Sequence, residues 1–244
     1  MLKRTALLFC LAIAACASGA QPAAPLPQPT GWVAVLIAGD NQEPAFANAV
    51  DAMADKLEGA GVDPKRITVL KAGAKGAAAA IGSNIQRVFA GLAPAESEGC
   101  FVFMTSHGQR EGGLVLAASR TYLAPSGLDR LLAGPCRDRP TVVIASGCFS
   151  GVYTDSGAMR TPNRVILTAA RRDRSSFGCN ASLRFTVFDE CILRAIDRGL
   201  PWQTVMDRSR ACVTQHEEDA DYHPASEPQL FIGQSVAQLT AFPR

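Results

Sequence analysis

From Gly31 onward the chain alternates between apolar runs of strand length and amphipathic runs of helical period, and no other feature limits its fold as strongly. "WVAVLIAG", "RITVLKA", "CFVFMTS", "TVVIAS", "RVILTAA" and "PQLFIG" read as six strands. Between them, "AFANAVDAMADKLEGAG" keeps Phe46, Val50, Met53 and Leu57 at helical spacing and ends on Gly59 and Gly61. "AAAIGSNIQRVFAGLA", "SGLDRLLAG", "LRFTVFDECILRAIDRG" and "PWQTVMDRSRACVTQ" read as further helices, and "GGLVLAASRTYLAP" as a hairpin. Strands that are apolar almost throughout must be buried on both faces. The expected fold class is therefore α/β, a three-layer α/β/α sandwich with a mostly parallel six-stranded sheet.

Size and charge narrow the possibilities further. The 244 residues, 48% hydrophobic and 19% charged, suffice for one well-cored domain and are too few for two large ones. Without Lys3 and Arg4 the 24 basic residues become 22, matching the 22 acidic ones. A neutral chain without a basic stripe gives no reason to expect a nucleic-acid partner.

The start of the chain reads as a targeting segment. Residues 1–20, "MLKRTALLFCLAIAACASGA", combine a basic start, a short apolar stretch and small residues, the pattern of a secretory signal too short to span a membrane. "IAAC" at 13–16 resembles the bacterial lipobox, which makes Cys16 the expected lipidation site; a plain signal cut after Ala20 is the alternative. Pro-rich residues 21–30 then read as an extended tether before a single domain over 31–244. On this reading the protein sits in the bacterial cell envelope on the periplasmic side, held to the membrane by a lipid anchor on Cys16 or otherwise free in the periplasm.

In open parallel sheets the functional crevice lies beyond the carboxyl ends of the strands. There the chain places Gly39, Asp40 and Asn41 after the first strand, Ser106, His107 and Gly108 after the third, and Ser146, Gly147 and Cys148 after the fourth. If those strands are neighbours, a spacing of about 4.8 Å brings their ends within roughly 10 Å, and Asn41, His107 and Cys148 can meet. A thiolate is a strong nucleophile, and an imidazole beside it can take its proton and later protonate a leaving amine. The Asn41 amide oxygen can fix the imidazole tautomer. Glycines around Cys148 allow close approach of a carbonyl, with the N–H groups of Cys148 and Gly108 as candidate oxyanion donors.

Each of these residues has an ordinary explanation when taken alone. A strand-end cysteine is more often buried and inert, a lone histidine before glycine more often a loop residue, and asparagine after "AGD" is common turn chemistry. The pairing of His107 with Cys148 on neighbouring strand ends, each beside glycine, favours a cysteine hydrolase or transferase.

At these residues the sequence resembles the legumain-like cysteine peptidases of the caspase and haemoglobinase fold, in which one apolar strand ends in His-Gly and another in a Cys within a small-residue turn. The likeness extends to "AGDN" at 38–41, where legumains carry Ala-Gly-Ser-Asn, to "DRSSFG" at 173–178 and to "SEPQLFIG" at 226–233. The resemblance implies a peptide or protein substrate, Cys148 as nucleophile, His107 as general base and acid, Asn41 as the histidine-orienting residue, and Gly108 with Cys148 as oxyanion donors. It implies no metal and no organic cofactor. Legumains that cut after asparagine carry an arginine shortly after the Ala-Gly-Ser-Asn motif and an acid two residues before the nucleophile; here those positions hold Ala47 and Ser146. The family's third pocket acid is matched by Asp173, so the implied substrate-binding residues are Ser146 and Asp173. A pocket that keeps Asp173 without the arginine is expected to prefer a basic side chain, unless Arg171, Arg172 and Arg174 neutralise it.

Cysteine spacing suggests an oxidising compartment. Cys100 opens the third strand and Cys136 shortly precedes the fourth, so a disulfide between them is geometrically reasonable at the end opposite the site. Cys191 shares an apolar face with Phe188 and Ile192 and reads as core, leaving Cys179 with Cys212 as a second pair. No C-x-x-C pair supports zinc. "QHEEDADYHP" at 215–224, with His216 and His223, reads as a solvated loop rather than a metal site. Two rival readings stay open: an inactive lipid-anchored binding protein of this fold, and a transamidase or ligase using the same dyad.

Overall fold

The computed structural model describes residues 23–110, 112–179 and 182–242. The expected signal segment, its lipobox and Cys16 lie outside them. In chain order the elements are β1 (Gly31–Ala38), α1 (Pro44–Gly59), β2 (Ile67–Lys71), α2 (Gly82–Gly91), β3 (Glu98–Thr105), β4 (Gly108–Gln109), β5 (Gly113–Leu116), β6 (Thr121–Leu123), α3 (Pro125–Leu132), β7 (Thr141–Ser146), α4 (Val152–Asp155), β8 (Arg164–Thr168), α5 (Val187–Ala195), α6 (Trp202–Asp219) and β9 (Gln229–Ile232).

The six long apolar runs form one sheet in the order β2-β1-β3-β7-β8-β9. All pairs are parallel except β8 with β9, where the final strand closes the edge antiparallel. Alternate residues of each strand feed two separate cores, as strand geometry requires. Trp32, Leu36, Phe101 and Phe103 pack with α1, α5 and α6, whereas Val35, Ile37, Val102 and Met104 pack with α2, α3 and α4. Helices on both faces make this the expected three-layer α/β/α sandwich. The hairpin read from "GGLVLAASRTYLAP" is β5 with β6, which β4 joins to make a small antiparallel sheet.

Helix α1 starts on Pro44 and buries Phe46, Val50, Met53 and Leu57 along one stripe. Helix α5 begins only at Val187, because the Thr186 side chain accepts from the Asp189 N–H and caps it there. The solvated loop expected over 215–224 needs correction. Helix α6 runs on to Asp219 and so carries His216, and the Glu217 carboxylate is buried, accepting from the Ser226 N–H at 3.1 Å. The described part of the Pro-rich segment is extended, yet it hydrogen-bonds to the domain through Leu26 N–H to Ser235 O at 2.8 Å and Thr240 N–H to Gln28 Oε1 at 3.1 Å.

Among the described residues two disulfides form, one between β3 and the turn after α3 and one between α5 and α6. Cys100 at the start of β3 pairs with Cys136, as its position suggests. The second bridge joins Cys191 of α5 to Cys212 of α6, with Cα atoms 5.6 Å apart, instead of Cys179 to Cys212. The two helices pack side by side and bring Cys191 to Cys212, whereas Cys179 belongs to a different loop and is a free thiol. Cys191, Cys212 and His216 come within 4.8 Å of one another, but the disulfide occupies both sulfurs, so the group has no thiolate to offer a metal.

Peptide mapping without reduction is expected to recover Cys100–Cys136 and Cys191–Cys212 as linked pairs, with Cys148 and Cys179 open to alkylation. Replacing Cys191 and Cys212 together by Ala is expected to lower the unfolding free energy by about 3 kcal/mol, from the loop released in the unfolded chain. Recovery of Cys179 linked to Cys212 would contradict the assignment.

Candidate active site

The two central parallel strands end level with each other. Thr105 of β3 pairs with Ser146 of β7, and the Ser106 N–H donates to the Ser146 carbonyl at 3.1 Å. His107 and Cys148 each lie two residues past that last pair. The loops that carry them touch: a Cβ placed on Gly108 would fall 1.8 Å from the Cys148 carbonyl oxygen, and one on Gly147 would fall 2.5 Å from the Ser106 carbonyl oxygen. Only glycine at 108 and 147 lets both loops turn this tightly.

Cys148 is half-buried, and Ser176 flanks its sulfur. The Ser176 N–H points at Sγ from 3.4 Å, and the thiol lies 3.5 Å from the Ser176 carbonyl oxygen. The next residue, Phe149, has φ +58°, which turns the chain sharply after the thiol, and its N–H is held by the Arg174 carbonyl at 2.8 Å. His107 is also half-buried, its ring meeting the face or edge of Phe46 at 5.2 Å and 82°. The His107 carbonyl accepts from the Val115 N–H at 2.8 Å, which makes Gly108 and Leu114 the non-hydrogen-bonded pair of β4 and β5 and leaves the Gly108 N–H outside that ladder. Among the described residues the Cys148 N–H donates to no backbone carbonyl either. Two free donors thus accompany one thiol and one imidazole.

Asn41 is elsewhere. Its side chain is exposed and packs over Gly73, 3.3 Å from where a Cβ there would lie, and among the described residues no hydrogen bond joins it to His107. The imidazole instead packs against Phe46, in the first turn of α1. Asp173 is exposed and chelated by Arg171, with Nε–Oδ1 at 2.5 Å and Nη2–Oδ2 at 3.0 Å. That guanidinium holds the Asp173 carboxyl down at about 2, so its charge is already matched. Ser146 is buried at the end of β7.

Behind Ser146 lies a carboxylate with no local sequence signature of a site residue. Asp189, in the first turn of α5, has no accessible surface, and Thr105 Oγ1 donates to its Oδ2 at 2.6 Å. Burial pushes its carboxyl up to about 6, although the hydroxyls of Thr105, Ser146 and Thr186 favour the anion. Its Oδ1 has no donor, and the same is true of a buried oxygen of Glu43, Oε2. An acid three residues after a capping threonine reads in sequence as a helix-dipole partner, which hides Asp189. The available signal was its place between Phe188 and Cys191 on an apolar face. Cys179, half-buried nearby, is pushed up to about 12, first by burial and then by the charges of Cys148, Asp189 and Glu43.

Because the fold disfavours ionised Asp189, it contributes stability that is present below the ordinary carboxyl value of 3.8 and is lost as pH rises through about 6. The Asp189→Asn variant lacks this titration. The unfolding free energy of the wild type relative to that variant is expected to fall by about 3 kcal/mol between roughly pH 4 and 7 in denaturant titrations. A difference that stays flat with pH would contradict the burial account.

Comparison with known proteins bears on the same residues. The family model described as the peptidase C13 family matches residues 74–196, a stretch that holds His107, Cys148, Ser176 and Asp189 but neither Asn41 nor Glu43. Among solved structures the chain is similar to caspase-1 from Spodoptera frugiperda at 13% identity and a TM-score of 0.64, covering 88% of this chain and 93% of that one. At that identity the likeness speaks for the fold alone. No curated protein matches the chain. The six-stranded sheet agrees with the caspase-like architecture, and the match over half the length agrees with the family that the His-Gly and Gly-Cys strand ends resemble. The chain belongs to the peptidase C13 family, whose function is of the cysteine-peptidase type.

Proposed function

We propose that the protein hydrolyses peptide bonds through an acyl-enzyme on Cys148, with His107 as general base and then general acid. The observation that carries this reading is the level ending of β3 and β7, which sets His107 and Cys148 on touching loops with Gly108 packed on the Cys148 carbonyl. His107 takes the Sγ proton as the sulfur attacks the substrate carbonyl, and returns it to the departing amine. The N–H groups of Cys148 and Gly108 stabilise the developing oxyanion. Water, activated by the same imidazole, then releases the acid product. The near-perpendicular ring contact with Phe46, rather than Asn41, sets the plane of the imidazole. The two disulfides support an oxidising location, which accords with a substrate met in the bacterial envelope and with anchoring through a lipid on Cys16.

A cysteine-directed acyl probe is expected to label Cys148 in the full chain, with labelling abolished in Cys148→Ala and reduced at least about 10³-fold in His107→Ala. Equal labelling of wild type and His107→Ala would remove the histidine from the chemistry, and a protein that never labels would be the inactive binder. Product masses in the presence of an added amine separate the outcomes of acyl transfer: the free acid is expected, and dominant capture by the amine would instead make the protein a transamidase.

A further inference from the structure

We propose that Cys191, Cys212 and His216 form a zinc site that exists only while the disulfide between the two cysteines is open. A disulfide then holds α5 to α6 in one redox state and a metal ion holds them in the other.

Two packed helices supply the geometry. Cys212 and His216 lie four residues apart on α6, the spacing that puts two side chains on one helix face. Cys191 of α5 meets that face, its Cα 5.6 Å from that of Cys212. One donor atom from each of the three residues lies within 4.8 Å of the other two, and among the described residues no other group of three metal-ligating side chains does so. Oxidised, the two sulfurs bond to each other and carry no charge. Reduced and deprotonated, they are two soft donors whose charge cancels that of Zn²⁺, and the imidazole adds a neutral third donor. Thiolates that share a tetrahedral zinc at about 2.3 Å stand roughly 3.8 Å apart. The cysteine side chains reach that separation by rotating while the Cα atoms stay 5.6 Å apart. The fourth position faces solvent, where the His216 and Glu190 side chains are each 40% exposed, and falls to water. Glu190, 4.0 Å from His216 Nε2, adds negative charge beside the ion, although Arg194 shares that carboxylate at 3.5 Å.

The two bridges differ in access. Cys100 and Cys136 are both 1% exposed, whereas Cys212 is half-buried beside the part-exposed His216, so a dithiol reaches the α5–α6 bridge first. One thiol of that reductant attacks the Cys212 sulfur, and its second thiol resolves the mixed disulfide. The bridge takes up two electrons and two protons, and the reductant leaves as its own disulfide. Zn²⁺ then displaces the two protons, forming two Zn–S bonds and one Zn–N bond. The newly made chain passes through the same dithiol state before its first oxidation. Asp189, which takes the Thr105 hydroxyl at the end of β3, lies two residues before Cys191, so whichever link is in place also steadies that contact.

The test uses the full chain. Cys148 and Cys179 are alkylated in the oxidised protein, the bridges are then reduced with a phosphine, and Co²⁺ is added as a spectroscopic probe. A single ion is expected to bind, with a thiolate-to-cobalt charge-transfer band and the visible bands of a tetrahedral site, and Zn²⁺ is expected to displace it. His216→Ala, which keeps both cysteines, is expected to weaken binding at least about 10-fold, and joint replacement of Cys191 and Cys212 by Ala to abolish the band. Zinc at about a hundredfold excess over its Kd is expected to raise the unfolding midpoint of the reduced protein by about 5 °C and to leave the oxidised protein unchanged. None of these readouts depends on peptidase activity. The inference is overturned if the reduced wild type binds no cobalt, if the oxidised protein binds it equally, or if His216→Ala binds it as tightly as the wild type. A band that survives in the double variant also overturns it, by placing the metal on Cys100 and Cys136. Where reduction unfolds the chain, zinc is expected to restore helical circular dichroism to the wild type and not to the double variant, and failure to do so counts against the site.

Discussion

Strands β3 and β7 stop at the same height, Thr105 beside Ser146, and the candidate site depends on that register. A slip of one residue would turn every side chain of a strand to the opposite face. Here both faces are apolar but differently filled, with Phe101 and Phe103 on one side and Val102 and Met104 on the other, so the packing of two cores secures the alignment. Each strand then turns within two residues, and glycine at 108 and 147 lets the turns lie in contact. Core packing thereby sets the distance between a thiol and an imidazole that belong to sequence positions 41 apart.

Helix α5 links the site to the rest of the fold. Thr186 caps it, Asp189 in its first turn takes the Thr105 hydroxyl at the strand end, and Cys191 fastens it to α6. One face of a nine-residue helix thus presents a charge to the strand ends while a neighbouring position is covalently held. Burying Asp189 without a full set of donors costs stability at neutral pH, and a disulfide on the same helix offsets part of such a cost.

Much of this was legible in the sequence wherever a local pattern decides the outcome. The six apolar runs are the six strands, and Phe46, Val50, Met53 and Leu57 are buried as their spacing predicts. His107 and Cys148 were visible because chemistry in such sheets gathers at strand ends. What the sequence hid depends on contacts between distant segments. Helix α6 outlasts its apolar pattern because Glu217 finds the Ser226 N–H, and Cys191 finds Cys212 because two helices lie side by side. Asn41 points toward Gly73 because the Asp40 carboxylate takes the Gln42 N–H at 2.7 Å and sets the turn after β1. Glu43 and Asp189 each look ordinary in their own segments; their buried oxygens without a donor appear only in the folded chain.

The central claim is that Cys148 forms a covalent acyl intermediate with the help of His107, and intact-mass analysis of an acid-quenched reaction with a cleavable peptide tests it most directly. The account predicts a mass increase equal to the acyl half of the peptide, mapped to Cys148, in the wild type and its absence in His107→Ala over the same interval. Peptide cleavage at the wild-type rate by Cys148→Ala, or the acyl mass mapped to Cys179 instead, would contradict it.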